Sequence, residues 1–159
     1  MKKSCTVLFC LVLFTAAIVL SGCEETRSGG GGVTDIGRGE PKIVESVTSI
    51  EVFENRPDGI TDTFSAEFND QIYLWILWGN IDKTHTIRVS WFSPDDDLDD
   101  EPFWTEERSI SSTTGEKITW FYIDAPRGGF SGDQFLPGEW FVEIFLNDLF
   151  ERSHLFFVE

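Results

Sequence analysis

After about Lys42 the chain breaks into short β-branched and aromatic runs, several of which alternate apolar and polar positions with a period of two. His85, Ile87, Val89 and Trp91 share one parity, against Thr86, Arg88 and Ser90 on the other. Trp140, Val142, Ile144 and Leu146 alternate with Phe141, Glu143 and Phe145, and after a turn Phe156 and Val158 continue the inner stripe. Successive side chains on a strand point to opposite faces, so each run assigns an inner and an outer face. Ile118, Trp120 and Tyr122 form a similar stripe and are assigned inward. The run Ile72 to Trp78 is apolar at both parities, as a central strand covered on both sides would be. Helical periodicity is nowhere convincing.

These patterns predict seven strands: Val47 to Phe53, Thr63 to Phe68, Ile72 to Trp78, Thr84 to Phe92, Lys117 to Ile123, Glu139 to Leu146 and Leu149 to Val158. Turn residues separate them at Arg56-Pro57-Asp58-Gly59, Gly79-Asn80, Pro94-Asp95, Thr114-Gly115, Pro126-Arg127-Gly128-Gly129, Pro137-Gly138 and Asn147-Asp148. Short β-branched and aromatic runs at this spacing imply an all-β antiparallel sandwich. The pieces Phe64-Ser65, Ile72-Tyr73, Val89-Ser90-Trp91 and Leu136-Pro137-Gly138-Glu139-Trp140, with Asn147 and a closing Phe157-Val158, resemble the immunoglobulin-like modules of bacterial surface lipoproteins. The resemblance implies an immunoglobulin-like sandwich of about seven strands, and because that fold hosts many functions it implies no activity.

The N-terminus has a different texture. Lys2 and Lys3 precede an apolar stretch from Val7 to Leu20, and the chain turns polar at Glu24. This is a secretory signal layout, too short to span comfortably the roughly 30 Å of bilayer hydrocarbon. Leu20-Ser21-Gly22-Cys23 resembles the lipobox of bacterial lipoproteins, an aliphatic residue and two small ones before a cysteine. The resemblance implies lipid on the Cys23 sulfur and cleavage just before it, so that two or more acyl chains hold the mature protein on a membrane. The expected organisation is a signal peptide over 1–22, a glycine-rich flexible tether over 23–42 with Gly29 to Gly32 in a row, and a sandwich domain over 43–159. The expected location is outside the cytoplasm, in the periplasm or at the cell surface.

Composition narrows the function classes. Cys5 and Cys10 fall in the segment expected to be removed, so no disulfide forms within the mature chain, and six Trp and fifteen Phe must supply the core. The net charge of −16 argues against nucleic acid and anionic lipid headgroups as partners.

For chemistry, the sharpest local feature is Asp95-Asp96-Asp97-Leu98-Asp99-Asp100-Glu101. Asp95, Asp97, Asp99 and Glu101 stand at calcium-ligand offsets, yet Asp100 replaces the glycine of a helix–loop–helix calcium site and Pro102 interrupts it. A non-helical calcium loop competes with a merely solvated one. Two histidines, His85 and His154, and no free cysteine in the mature form argue against an enzyme, and no catalytic residue is assigned. His85 reads as a hydrogen-bonded strand-end residue and His154 as an edge residue. Phe141, Phe145 and Phe157, with Phe121 from a neighbouring strand, are expected to share an outward apolar face, the usual mark of an interface. Cover by residues 130–135 or by Phe103 and Trp104 is the competing expectation. Trp104, placed in a loop, is the candidate for sugar stacking. The sequence therefore points to a membrane-anchored, non-catalytic binding or assembly module with an envelope protein partner, or alternatively to a carbohydrate- or calcium-dependent ligand binder.

Overall fold

β-branched and aromatic residues fit a pleated, half-buried surface, and every regular element among the described residues is a strand. The computed structural model describes residues 39–96, 101–126 and 134–159. Lys42–Phe53 (β1), Arg56–Ile60 (β2), Gln71–Gly79 (β4) and Lys117–Asp124 (β7) form one sheet in the order β2-β1-β4-β7. Thr63–Phe64 (β3), His85–Phe92 (β5), Trp104–Ile110 (β6), Gly138–Leu146 (β8) and Leu149–Val158 (β9) form the other, in the order β3-β9-β8-β5-β6. All pairings are antiparallel except that of β3 with β9. The chain lays β1 beside β4, crosses to pair β3 with β9, and places β7 next to β4 while β5 and β8 pair in the opposite sheet. This alternation between two packed sheets is the immunoglobulin-like topology expected from the sequence.

The strand pattern differs from expectation in four places, the first being that β1 begins at Lys42 and not at Val47. Arg56 to Gly59 is edge strand β2, not a turn; the chain reverses one step earlier at Glu54 and Asn55, whose φ of 48° and 63° match the twist of a two-residue hairpin. Pro57 is tolerated because an edge strand leaves one side unpaired. The strand from Thr63 ends at Phe64, because Asn69 bonds back to Ser65 through both its side chain (2.7 Å) and its backbone N–H (2.9 Å). β6 has no counterpart among the strands expected from the sequence. It is an edge strand whose middle is Thr105-Glu106-Glu107-Arg108-Ser109, and charges on an edge block pairing with other chains while hiding the strand's apolar signal.

The period of two decides what fills the space between the sheets. Ile72, Leu74, Ile76 and Trp78 enter it from β4, Ile87, Val89 and Trp91 from β5, and Trp140, Val142 and Ile144 from β8, all fully buried. Burial of each such side chain contributes ~1.5–3 kcal/mol. Trp140 is the hub. Phe103 and Phe135 meet it edge-on at 5.3 and 5.6 Å, Phe156 lies 6.2 Å away, and its Nε1 donates to the Leu136 carbonyl at 2.8 Å. Gly138 opens β8 with φ 139°, and a Cβ there would stand 2.9 Å from Pro94, so both backbone and neighbour demand glycine.

Stacked sheets have two open sides, and polar side chains close both. Where β6 meets β7, Arg108 Nη1 donates to the Trp120 carbonyl at 3.0 Å and the guanidinium pairs with Glu106. Where β1 meets β9, Ser46 Oγ lies 2.7 Å from His154 Nε2 and accepts from Arg152 Nη1 at 3.1 Å.

Candidate functional site

β7 carries the main correction to the expected faces. Thr119, Phe121 and Ile123 enter the core, so Ile118, Trp120 and Tyr122 face outward. The stripe misleads because a polar residue occupies a core position: Thr119 Oγ1 accepts the buried Trp78 Nε1–H at 2.9 Å, which satisfies both groups. Phe121 is fully buried, and its strand pairs with β4 rather than β8. It shares no face with Phe141, Phe145 and Phe157.

The outward residues of β7 meet those of β4 in register. Tyr122 lies opposite Tyr73, Trp120 opposite Trp75 and Ile118 opposite Leu77, three successive apolar rows, and β1 extends the middle row with Val47. Tyr73, Trp120 and Tyr122 are half-buried, with ring centroids 5.5–6.2 Å apart. Trp75 is covered by the β1–β2 turn, its Nε1 donating to the Asn55 carbonyl at 2.8 Å. At the end of the shelf Gln71 Nε2 donates to Asp124 Oδ1 at 2.8 Å, and the Tyr73 hydroxyl donates to Gln71 Oε1. Partial burial, and then the Glu51 carboxylate, Tyr122 and the Asp124 carboxylate, push the Tyr73 phenol above its ordinary value, so it stays a hydrogen-bond donor.

Trp104 sits beside this shelf. It is the first residue of β6, 53% exposed, rather than a loop residue. With Glu106, Arg108, Tyr122 and Asp124 it lines a cleft of about 480 Å³ between the edges of β6 and β7. Across the shelf, beyond Tyr73, Glu51, Phe68, Asn69 and Gln71 line a smaller hollow of about 230 Å³.

The opposite outer face has the expected phenylalanines in a different arrangement. Phe141 is stacked on Phe92 at 4.3 Å and paired with Leu155, which is 50% exposed, and Phe157 is 43% exposed. Phe145 lies under the Arg88 guanidinium at 3.8 Å and edge-on to Phe150 at 5.8 Å. Between the two groups runs the row Ser90, Glu143 and Ser153, so the face holds two apolar islands. Phe103 and Phe135 cover neither, since both pack on Trp140.

Cys23, Asp97 and Asp99 lie outside the described residues. Of the other acidic-loop candidates, Asp95 and Glu101 are exposed, while their neighbour Asp96 accepts the Ser93 backbone N–H at 2.7 Å. Among the described residues no three His, Cys, Asp or Glu side chains gather as a metal site.

Both histidines have hydrogen-bond partners within the domain. His85 is buried at the start of β5, where its Nδ1 accepts from Asn147 at 2.9 Å and its Nε2 stands 3.3 Å from Asp82. This hydrogen bond holds the Asp82 carboxyl below its ordinary range. His154 faces the space between β9 and β1; burial first, and the Arg152 charge second, push it below its ordinary 6.5. A depressed folded-state value means the unfolded chain binds the extra proton, so this contribution to stability is present above about pH 6.5 and declines below it. The urea midpoint is therefore expected to fall more steeply from about pH 7.5 to about pH 5.5 in the native protein than in His154→Gln. Parallel curves would mean that His154 titrates alike in both states.

No protein-family model and no curated protein matches the chain. Among solved structures it is similar to the alkylpurine DNA glycosylase AlkC of Pseudomonas fluorescens, bound to DNA containing an abasic-site analogue. That match has 10% identity and a TM-score of 0.50, and covers 76% of this chain but only 30% of the glycosylase. It is also similar to an immunoglobulin-like protein of Pseudomonas aeruginosa, at 14% identity and a TM-score of 0.49, over 77% of this chain and 98% of that one. Strand order and pairing make the described domain an immunoglobulin-like β-sandwich.

Proposed function

We propose that this chain is a lipid-anchored protein of the bacterial envelope whose sandwich is a non-catalytic binding module, and that it binds through the outer face of β4 and β7 together with the cleft beside Trp104. One observation carries the reading: three successive cross-strand rows lie on the outer face, with Tyr73, Trp120 and Tyr122 half-exposed, and the Tyr122 row borders a cleft of about 480 Å³. Sheets of this kind bury one face and solvate the other with polar residues. A Tyr, Trp and Tyr cluster at the solvent face departs from that pattern in the way binding surfaces do. The lipobox resemblance at Cys23 and the glycine run after it support the anchor and the tether.

A second reading places a protein partner on the island of Leu155 and Phe157, favoured by their exposure beside Glu139 and Glu143; such a partner would bring apolar anchors and basic flanks. Paired variants separate the two. Detergent-solubilised protein is expected to cosediment with detergent-extracted envelope fragments. The double variant Trp120→Ala, Tyr122→Ala is expected to lose this, while Leu155→Ser, Phe157→Ser keeps it. The reverse outcome would move the binding surface to β8 and β9, and no sedimentation in either native or variant protein would end the reading.

A further inference from the structure

The cleft and the smaller hollow adjoin across β7 and β4. Tyr122 and Asp124 line the first, Tyr73 and Gln71 line the second, and these four residues sit in adjacent register pairs, Tyr122 with Tyr73 and Asp124 with Gln71. Taken together as one groove, they cross β7 and β4 at one end of the domain, with aromatic rings for the floor. Its rim is polar: the Tyr73 hydroxyl and the Gln71 amide on one strand, Asp124 on the next, Glu106 and Glu51 beyond them.

Two properties define what fits. The ring planes of Tyr73, Trp120 and Tyr122 are tilted by 32°, 35° and 55° to one another, an open curved shelf and not the near-perpendicular walls of a cage around a quaternary ammonium. Charge supplies the second constraint. Among the described residues Arg108 is the cation of the groove, held by Glu106 and the Trp120 carbonyl, and the other charged lining is carboxylate, on a chain of net charge −16. An anionic ligand is repelled. A ligand with flat C–H faces for the rings and paired hydroxyls for amide, phenol and carboxylate matches both constraints, and that description is a sugar.

We propose, resting on the binding-module reading, that this transverse groove is a binding site for an uncharged glycan chain, its sugar rings stacked on Tyr73, Tyr122 and Trp104 and its hydroxyls bonded by Gln71, Asp124 and Glu106. Full-length protein in detergent is tested for retention on β-1,4-glucan, β-1,4-N-acetylglucosamine polymer, α-1,4-glucan and polygalacturonate. Retention on at least one uncharged polymer and none on polygalacturonate is expected. Tyr122→Ala and the exposed Trp104→Ala should each weaken it about tenfold, with melting temperature followed to show that both fold. Retention on no uncharged polymer, on polygalacturonate as well, or equally by the variants overturns the proposal. Periodate cleaves the 2,3-diols of the glucans and spares the 1,4-linked N-acetylglucosamine backbone, so treating the envelope fragments is expected to abolish cosedimentation if the protein is retained on a glucan and to leave it if the protein is retained only on the N-acetylglucosamine polymer. If only protease abolishes it, or a quaternary ammonium salt competes it away, the glycan assignment falls while the groove stands as a binding surface.

Discussion

Trp140→Ala is expected to destabilise the domain by ~3–5 kcal/mol, the range for removing a large aromatic side chain from a packed core. Domains of this size are stable by only ~5–15 kcal/mol, so the variant should approach the unfolding threshold at 25 °C. The site explains the size of the effect. Trp140 is fully buried, and Phe103, Phe135 and Phe156 each present a ring to it from a different part of the chain. Deletion leaves a cavity that three ring systems must collapse into, and it strands the Leu136 carbonyl that accepts the indole N–H. Trp140→Phe keeps most of the packing but not that hydrogen bond, and should cost about 1–3 kcal/mol. Trp104→Ala, at the exposed edge, should stay within about 0.5 kcal/mol. Urea unfolding of the three variants checks the order. A loss below about 1 kcal/mol for Trp140→Ala would mean that the rings around it are held by something other than this contact.

Why some of this was legible in the sequence and some was not follows from where each strand sits. β8 and the first half of β5 alternate cleanly because one face is buried and the other reaches solvent, and His85 at the apolar parity of β5 is a hydrogen-bonded strand-end residue. β4 reads as covered on both sides, but on its outer face only Trp75 is covered, by the β1–β2 turn, while Tyr73 and Leu77 stay half-buried. Edges were harder. β2 and β6 carry proline or charge where an interior strand would carry apolar residues, so their composition imitates turn and loop.

The site was missed for a more instructive reason. Hydrophobicity alone sends Ile118, Trp120 and Tyr122 inward and leaves Phe121 outside, whereas the fold does the opposite. A polar residue can occupy a core position if a buried donor needs it, and Thr119 answers Trp78. The distinguishing signal lies in side-chain chemistry: Trp120 and Tyr122 have polar tips suited to a wet surface, and Phe121 has none. Trp104 is a candidate in the sequence because it reads as an exposed loop residue; it is exposed but stands on β6, and its neighbours come from β7, a convergence that only the fold reveals.

Replacing Cys23 with Ala in the full-length chain is expected to change the mature protein completely. Under the lipoprotein proposal, the native chain is cut before Cys23 and takes up labelled fatty acid, and the variant takes up none. It should also keep residues 1–22, since the processing step implied by the lipobox resemblance acts on a lipidated cysteine. The physical consequence lies in how the chain is held. Under that proposal the native anchor would be acyl chains, each buried methylene contributing about 0.8 kcal/mol, followed by the glycine-rich tether expected from the sequence. The variant retains instead an apolar segment, Val7 to Leu20, with Lys2 and Lys3 at its start. Intact-mass measurement separates the outcomes: acyl mass on a chain beginning at Cys23 for the native protein, and an unacylated precursor for Cys23→Ala. If both chains are cut at the same place and neither carries lipid, the segment is an ordinary signal peptide. The binding face would then belong to a protein released from the membrane, and the local concentration that a tether supplies would be lost with the anchor.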